Sequence, residues 1–147
     1  MSREELLEFM QNYQYAIQAS VSVSGAPQAA LVGIAMTHSL EIIFDSVDTS
    51  RKAHNLRSSP IVAFVIGGYA LGDEKTVQYE GVADLPQESD LERCKEVYYR
   101  RFPDGRQRLS WPGIVYFRVR PTWIRFSDFS KDPPTIVEFN AENLAGA

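Results

Sequence analysis

Residues 45–60 read DSVDTSRKAHNLRSSP, and this stretch decides the interpretation of the rest. An apolar strand ends at Phe44-Asp45, and a polar loop, Ser46-Val47-Asp48-Thr49, follows. Ser50-Arg51-Lys52 then opens a short helix that runs to Leu56 or Arg57, before Ser58-Ser59-Pro60 stops it. Thr49 or Ser50 is the natural N-cap, because a hydroxyl there can accept from an amide of the first turn. A helix start presents unpaired N–H groups and a partial positive charge. The hydroxyls of Ser46, Thr49 and Ser50 add donors. Arg51 can grip two oxygens at once, and Lys52 adds a point charge. These are the parts of a phosphate cradle. The bland reading is a capped surface helix. Two cations in a first turn oppose the helix dipole by a few tenths to about 1 kcal/mol, a local conflict that hints at a bound anion.

Outward from this stretch the pattern is mostly strands. Leu40–Asp45 leads into it, after a turn at Thr37-His38-Ser39. Ile61–Ile66 follows as a continuous apolar strand broken by Gly67-Gly68, and Lys75–Leu85 is longer and more polar. Upstream, Tyr15–Val23 alternates Tyr15, Ile17, Ala19, Val21 and Val23 against polar partners, the period-two mark of a half-buried strand. Ser24-Gly25-Ala26-Pro27 is turn chemistry, so Gln28–Met36 pairs back as a hairpin. Ser2 and Glu5 have capping-box spacing for a helix over Arg3–Asn12. A second helix, Ser89–Phe102, places Leu91, Cys94, Val97, Tyr98 and Phe102 at helical spacing and ends at Pro103-Asp104-Gly105. Ile114–Arg120 and Thr122–Phe129 read as two strands separated by Pro121, and Ile136–Phe139 is a short apolar segment. The tail, Ala141–Ala147, is expected to fray. About six main strands, two flanking helices and one short inner helix form a single domain over residues 1–147. Hairpin-length connections imply antiparallel pairing, and strands of this number and length close into a small barrel.

Composition narrows the partners. The chain has 147 residues, 44% apolar and 23% charged, with net charge -4. Nucleic-acid binding leaves a basic footprint that is missing here, so any anion site is local. Cys94 is the single cysteine, which rules out an intramolecular disulfide and makes reducing cytoplasm the expected compartment. The start MSREELLEFM lacks the form of a signal peptide, and no apolar run reaches the ~18 residues that cross a bilayer. His38 and His54 stand apart, which argues against a metal site. Arg100, Arg101, Arg106 and Arg108 form a basic stretch best read as a solvated face, and Trp111, Tyr116, Trp123, Phe126 and Phe129 read as core or interface packing.

The order of these pieces also carries a resemblance. PQAALVGIAM (27–36), LEIIFDS (40–46), TSRKAHNL (49–56) and SSPIVAFVI (58–66) look like the flavin-binding core of pyridoxamine 5'-phosphate oxidase-like proteins. The likeness continues through VQYEGVADL (77–85), EVYYRRFP (96–103) and VRPTWIRFSDFS (119–130). It implies a mainly β fold, a six-stranded antiparallel split β-barrel of the FMN-binding type. It also implies a homodimer with FMN at the subunit interface, acting as an FMN-dependent oxidoreductase on a small-molecule redox substrate. By the resemblance Arg51 and Lys52 would bind the FMN phosphate, with hydroxyls from Ser46 and Ser50. Ala30 and Leu31 lie on the strand against which the flavin ring rests. Thr76 falls where the oxidase has a glutamine reaching the ring, and Trp123 and Arg125 are candidates for contacts across the dimer. The chain also departs from the oxidase. The phosphate-binding arginine of the second strand falls near Ala30. Arg125-Phe126-Ser127 and Asp128-Phe129-Ser130 stand where the oxidase has Glu-Phe-Trp and its substrate-binding Arg-Leu-His-Asp-Arg run. The alternatives are a non-catalytic flavin carrier or redox-sensing module, a deazaflavin or haem protein on the same fold, and a true pyridoxamine 5'-phosphate oxidase.

Overall fold

Antiparallel pairing runs through the whole sheet of the computed structural model, which describes residues 1–145. The elements are α1 (Arg3–Gln11), β1 (Tyr15–Val21), β2 (Pro27–Gly33), β3 (Ala35–Met36), β4 (Ile42–Val47), α2 (Arg51–Ser58), β5 (Ile61–Ile66), β6 (Lys75–Asp84), α3 (Glu88–Arg101), β7 (Ile114–Asp128), β8 (Thr135–Phe139) and α4 (Ala141–Ala145). The sheet order is β2-β1-β5-β6-β7-β4-β3, with β8 on β7. Six longer strands, β1, β2, β4, β5, β6 and β7, make a sheet curled into a split barrel, and the two-residue β3 and five-residue β8 extend it. The expected fraying of the tail falls partly on Gly146 and Ala147, which lie outside the described residues.

The helix starts follow the local signals. Ser2 and Glu5 cap α1 reciprocally: the Glu5 amide donates to Ser2 Oγ at 3.2 Å and the Ser2 amide to Glu5 Oε2 at 2.6 Å. That helix buries Leu6 and Met10 against the barrel. The core is the inner face of the curled sheet, with Val62, Phe64 and Ile66 of β5, Val77 and Tyr79 of β6, and Phe44 stacked on Phe117 at 5.3 Å. Tyr79 is fully buried, and its hydroxyl lies 3.0 Å from the carbonyls of both Leu40 and Val119.

Two expectations are overturned. Pro121 does not separate two strands, because β7 is one strand of 15 residues. Its register with β6 slips between Glu80 and Gly81: Glu80 faces Trp123 and Gly81 faces Pro121, which leaves Thr122 unpaired in a bulge. A bulge is one of the few sheet positions where the missing N–H of proline is tolerated. Gly81 is required opposite, since a Cβ there would stand 2.5 Å from the Arg120 carbonyl oxygen and 2.7 Å from Val119 Cγ1. The second correction concerns β1. Its buried residues are Ala16, Gln18 and Ser20, while Tyr15, Ile17, Ala19 and Val21 are exposed. Period-two alternation distinguishes two faces but does not say which is inside, and here the polar face points inward.

Beneath α3 lies a second cluster of Cys94, Tyr98, Tyr99, Tyr116, Ala35 and Ile43. Tyr98 donates to Asp45 Oδ1 at 2.9 Å, and Arg108 donates to Asp45 Oδ2 at 3.0 Å and to the Tyr98 oxygen at 3.1 Å. Arg108 is therefore turned inward rather than part of a solvated basic face. Arg106 pairs with Glu96 at 3.3 Å and lies over the Tyr99 ring. Burial above all pushes the hydroxyl pKa values of Tyr98, Tyr116 and Tyr79 upward. Burial and a hydrogen bond to Asp73 push that of Tyr13 up to about 12.

Gly81→Ala is expected to destabilise the fold by about 1–3 kcal/mol through overpacking, read as a lowered denaturant midpoint. The raised tyrosines fix the sign of the alkaline response. Their contribution is complete below the ordinary tyrosine pKa of about 10 and is lost as pH climbs towards the folded value of about 12 for Tyr13. Melting temperature is expected to fall across that window, and to fall less in Tyr13→Phe, as circular dichroism melts at stepped pH would record.

Candidate functional site

The start of α2 is held by its own hydroxyls. Ser50 has extended backbone, and its Oγ accepts from the Ala53 amide at 3.2 Å, so Ser50 rather than Thr49 is the cap. Ser46 Oγ lies 2.8 Å from Ser50 Oγ and steadies it. Arg57 reaches back to the Asp48 carbonyl at 2.8 Å and closes the preceding loop. The buried face of α2 carries Ala53, Asn55 and Leu56. Asn55 Nδ2 donates to Ser20 Oγ at 3.0 Å and to Gln28 Oε1 at 2.9 Å, tying the helix to the β1–β2 hairpin.

Between that hairpin and the start of α2 lies a cavity of about 190 Å³, lined by Gln18, Ser20, Gln28, Ala29, Ala30, Arg51 and Lys52. Arg51 is exposed and Lys52 half-buried, and neither side chain forms a hydrogen bond or ion pair among the described residues. The first turn of α2 holds no acidic residue. Two cations and the positive end of a helix thus meet at one place on a chain of net charge -4. Gln18 is 1% exposed, and its Nε2 finds no hydrogen-bond partner. A buried donor without a partner is rare and calls for a physical explanation. The arrangement can bind an oxyanion, and a phosphomonoester suits its charge.

The residues singled out in the sequence therefore divide. Arg51, Lys52 and Ala30 share the cavity. Ser46 and Ser50 sit beneath the first turn, bonded to each other, and Thr49 is exposed on the loop. Leu31, Thr76, Trp123 and Arg125 do not line the cavity and belong to the outer face of the sheet. Register pairs Leu31 with Ile17, Ile17 with Val65, Val65 with Gln78 and Gln78 with Arg125. Leu31 and Arg125 thus share one row four strands apart, or roughly 19 Å at ~4.8 Å per strand. Arg125 Nε is buried without a hydrogen bond, 3.9 Å from Glu138 Oε1. Thr76 abuts Gly68.

Sequence reasoning missed Gln18, Ser20, Gln28 and Asn55. The available signal was a run of polar residues at alternate positions of β1, which only the inward orientation turns into a cavity wall. A larger cavity of about 430 Å³ brings His38, Arg100 and Arg101 together with Tyr13 and Thr37, at the ends of α1 and α3.

Comparison with solved structures finds the same fold in several proteins. A haem-binding protein from Mycobacterium smegmatis is 16% identical, with TM-score 0.83, over 100% of this chain and 61% of its own. This chain thus spans under two thirds of that protein. HutZ, the haem storage protein of Vibrio cholerae, is 20% identical, with TM-score 0.68, over 82% of this chain and 91% of its own. A pyridoxamine 5'-phosphate oxidase-related, FMN-binding protein from Nostoc punctiforme is 13% identical, with TM-score 0.70, over 94% of this chain and 84% of its own. At such identities the likeness is one of fold. No curated protein matches the chain. The sequence model of the family described as pyridoxamine 5'-phosphate oxidase matches residues 2–128, from the cap of α1 to the end of β7. A match over that span takes in the whole curled sheet except β8 together with the basic start of α2, and the chain belongs to the pyridoxamine 5'-phosphate oxidase family.

Proposed function

We propose that the chain is an FMN-binding flavoprotein that acts as a homodimer on a small-molecule redox substrate. The observation that carries this reading is the cavity at α2, where two cations without protein partners adjoin a buried amide without one. These residues fit a phosphomonoester such as that of FMN. Each hydrogen bond to the charged group is worth about 1.5–3 kcal/mol. The Nostoc relative, described as FMN-binding, supports the choice of flavin. Other relatives are described as haem proteins; among the described residues the α2 cavity is lined by no imidazole, thiol, thioether or phenol of the kind that holds haem iron, and the side chains of that kind, His38, Met36 and Tyr13, line the larger cavity instead.

When bound, FMN supplies the electron-transfer chemistry, and the protein supplies binding and orientation. In this reading Arg51 and Lys52 neutralise the phosphate, while the paired Ser46 and Ser50 hydroxyls fix the helix start that directs its N–H groups. Thr49 is placed on the loop to add a hydroxyl. Leu31, Thr76, Trp123 and Arg125 come to the cofactor through a second copy. The outer face supports that role, because Ile17, Leu31, Ile61, Val65 and Val82 are 39–67% exposed on it, an apolar surface of the kind that marks association. The substrate is proposed to differ from pyridoxamine phosphate, since Arg125-Phe126-Ser127 and Asp128-Phe129-Ser130 stand where the oxidase has its tryptophan and its substrate-binding arginine and histidine. The single buried cysteine suits a cytoplasmic setting, and no helix among the described residues is long and apolar enough to cross a membrane.

One feature favours a second reading. Among the described residues no carboxylate, imidazole or thiol lines the cavity, and the one amine there, Lys52, is assigned to the phosphate, as suits a flavin carrier or redox-sensing module. Saturable, substrate-selective reoxidation of the bound flavin would decide for the enzyme.

The purified protein is expected to show flavin absorption that survives gel filtration. Arg51→Ala with Lys52→Ala is expected to weaken FMN binding on the order of 100-fold or more. A wild-type protein that stays colourless in excess FMN would sink the reading. Ile61→Glu, on the outer face, is expected to turn a sedimenting dimer into a folded monomer, whereas an unchanged sedimentation coefficient would place the interface elsewhere.

A further inference from the structure

We infer that Gln18 is a ligand-binding residue: its side-chain amide, with that of Gln28, donates to the same anionic group that Arg51 and Lys52 hold, and Asn55 fixes the direction of Gln28. The inference deepens the proposed function and rests on the cavity's taking a phosphate.

Gln18 occupies an inward position of β1, between Ala16 and Ser20. A position 1% exposed in a barrel ordinarily takes an aliphatic side chain, and leucine would fill a similar volume with no amide to desolvate. Glutamine there, with Nε2 unpartnered, lowers the stability of the ligand-free fold. Such a loss is typical of binding sites, where a local rule is broken for the sake of a ligand. Gln18 borders the cavity that holds both cations.

Asn55 supplies the second part of the argument. It donates both to Ser20 Oγ and to Gln28 Oε1. Because the Gln28 oxygen is the acceptor, the Gln28 nitrogen is the free end of that amide, and Gln28 also lines the cavity. The hairpin therefore offers two amide donors and α2 offers two cations, with no carboxylate among the lining residues. That set suits an acceptor-only ligand of high charge, which a phosphate group is and a neutral carbonyl compound is not. Asn55 touches no ligand in this scheme and is a positioning residue.

The test measures inorganic phosphate by titration calorimetry and FMN by quenching of its fluorescence. Wild type, Gln18→Leu, Gln18→Glu and the Arg51→Ala, Lys52→Ala double variant are compared. Gln18→Leu is expected to weaken both ligands about tenfold while melting, ligand-free, at or above the wild-type temperature. Gln18→Glu is expected to weaken them further, because it sets a carboxylate against the phosphate. A purely structural glutamine would give the opposite pattern, with stability and affinity falling together in the leucine variant, and that result would overturn the inference. Equal FMN affinity in wild type and Gln18→Leu would leave the flavin reading standing and remove the role of Gln18. Phosphate binding that depends on Gln18 in a protein indifferent to FMN would keep that role and remove the flavin. Wild type that binds neither ligand would remove both.

Discussion

One strand serves three neighbours, and the architecture hangs on how it manages to. Along one edge β7 bonds to β6, and along the other it bonds first to β4 and then to β8. Those two partners can diverge because the one-residue slip at Thr122 bends the strand between them. The slip is possible because two unusual residues face each other there. Pro121 has no N–H to offer the ladder, and Gly81 has no side chain to collide with the Arg120 carbonyl. The first half of β7 then holds β4, whose last residues lead into the capped start of α2.

The site depends on a balance at α2. Arg51 and Lys52 oppose the dipole of the helix they open, and no acidic residue in the first turn relieves them. Buried contacts on the other side of the helix offset this: Ala53 and Leu56 pack into the core, and Asn55 bonds to two strands of the hairpin. The helix is thus anchored from behind, while its charged front faces a cavity walled by the same hairpin. The Ser46–Ser50 hydroxyl pair sets the angle at which the chain enters the helix.

Much of this was legible from local sequence. The Ser2–Glu5 capping box, the β1–β2 hairpin around Gly25 and the run from Asp45 to Pro60 each depend on neighbours in the chain, and local chemistry specifies them. Features that depend on distant parts of the chain were not legible. The alternation in β1 was plain, but its polar side faces inward because the apolar side belongs to the outer surface of the sheet. Pro121 reads as a strand end until Gly81, forty residues earlier, is set opposite it. Arg108 reads as surface charge until α3 carries Tyr98 over Asp45. Gln18 and Asn55 carried no motif at all, and their meaning arises only where β1, β2 and α2 converge.

The two tryptophans stand in different surroundings. Trp123 lies half-buried on the outer face, at the end of a row running through Ala29, Ala19, Ala63 and Glu80. Ala29, Ala19 and Ala63 keep that row low, and Glu80 stands between them and the indole. Trp111 is 55% exposed, beside the helix α3 and twelve residues before Trp123. Indole emission moves to shorter wavelength when water leaves the ring, so the chain carries its own pair of optical labels. Trp123 senses whatever covers the sheet and Trp111 senses solvent, so with Trp111 replaced the emission reports events at the outer face alone.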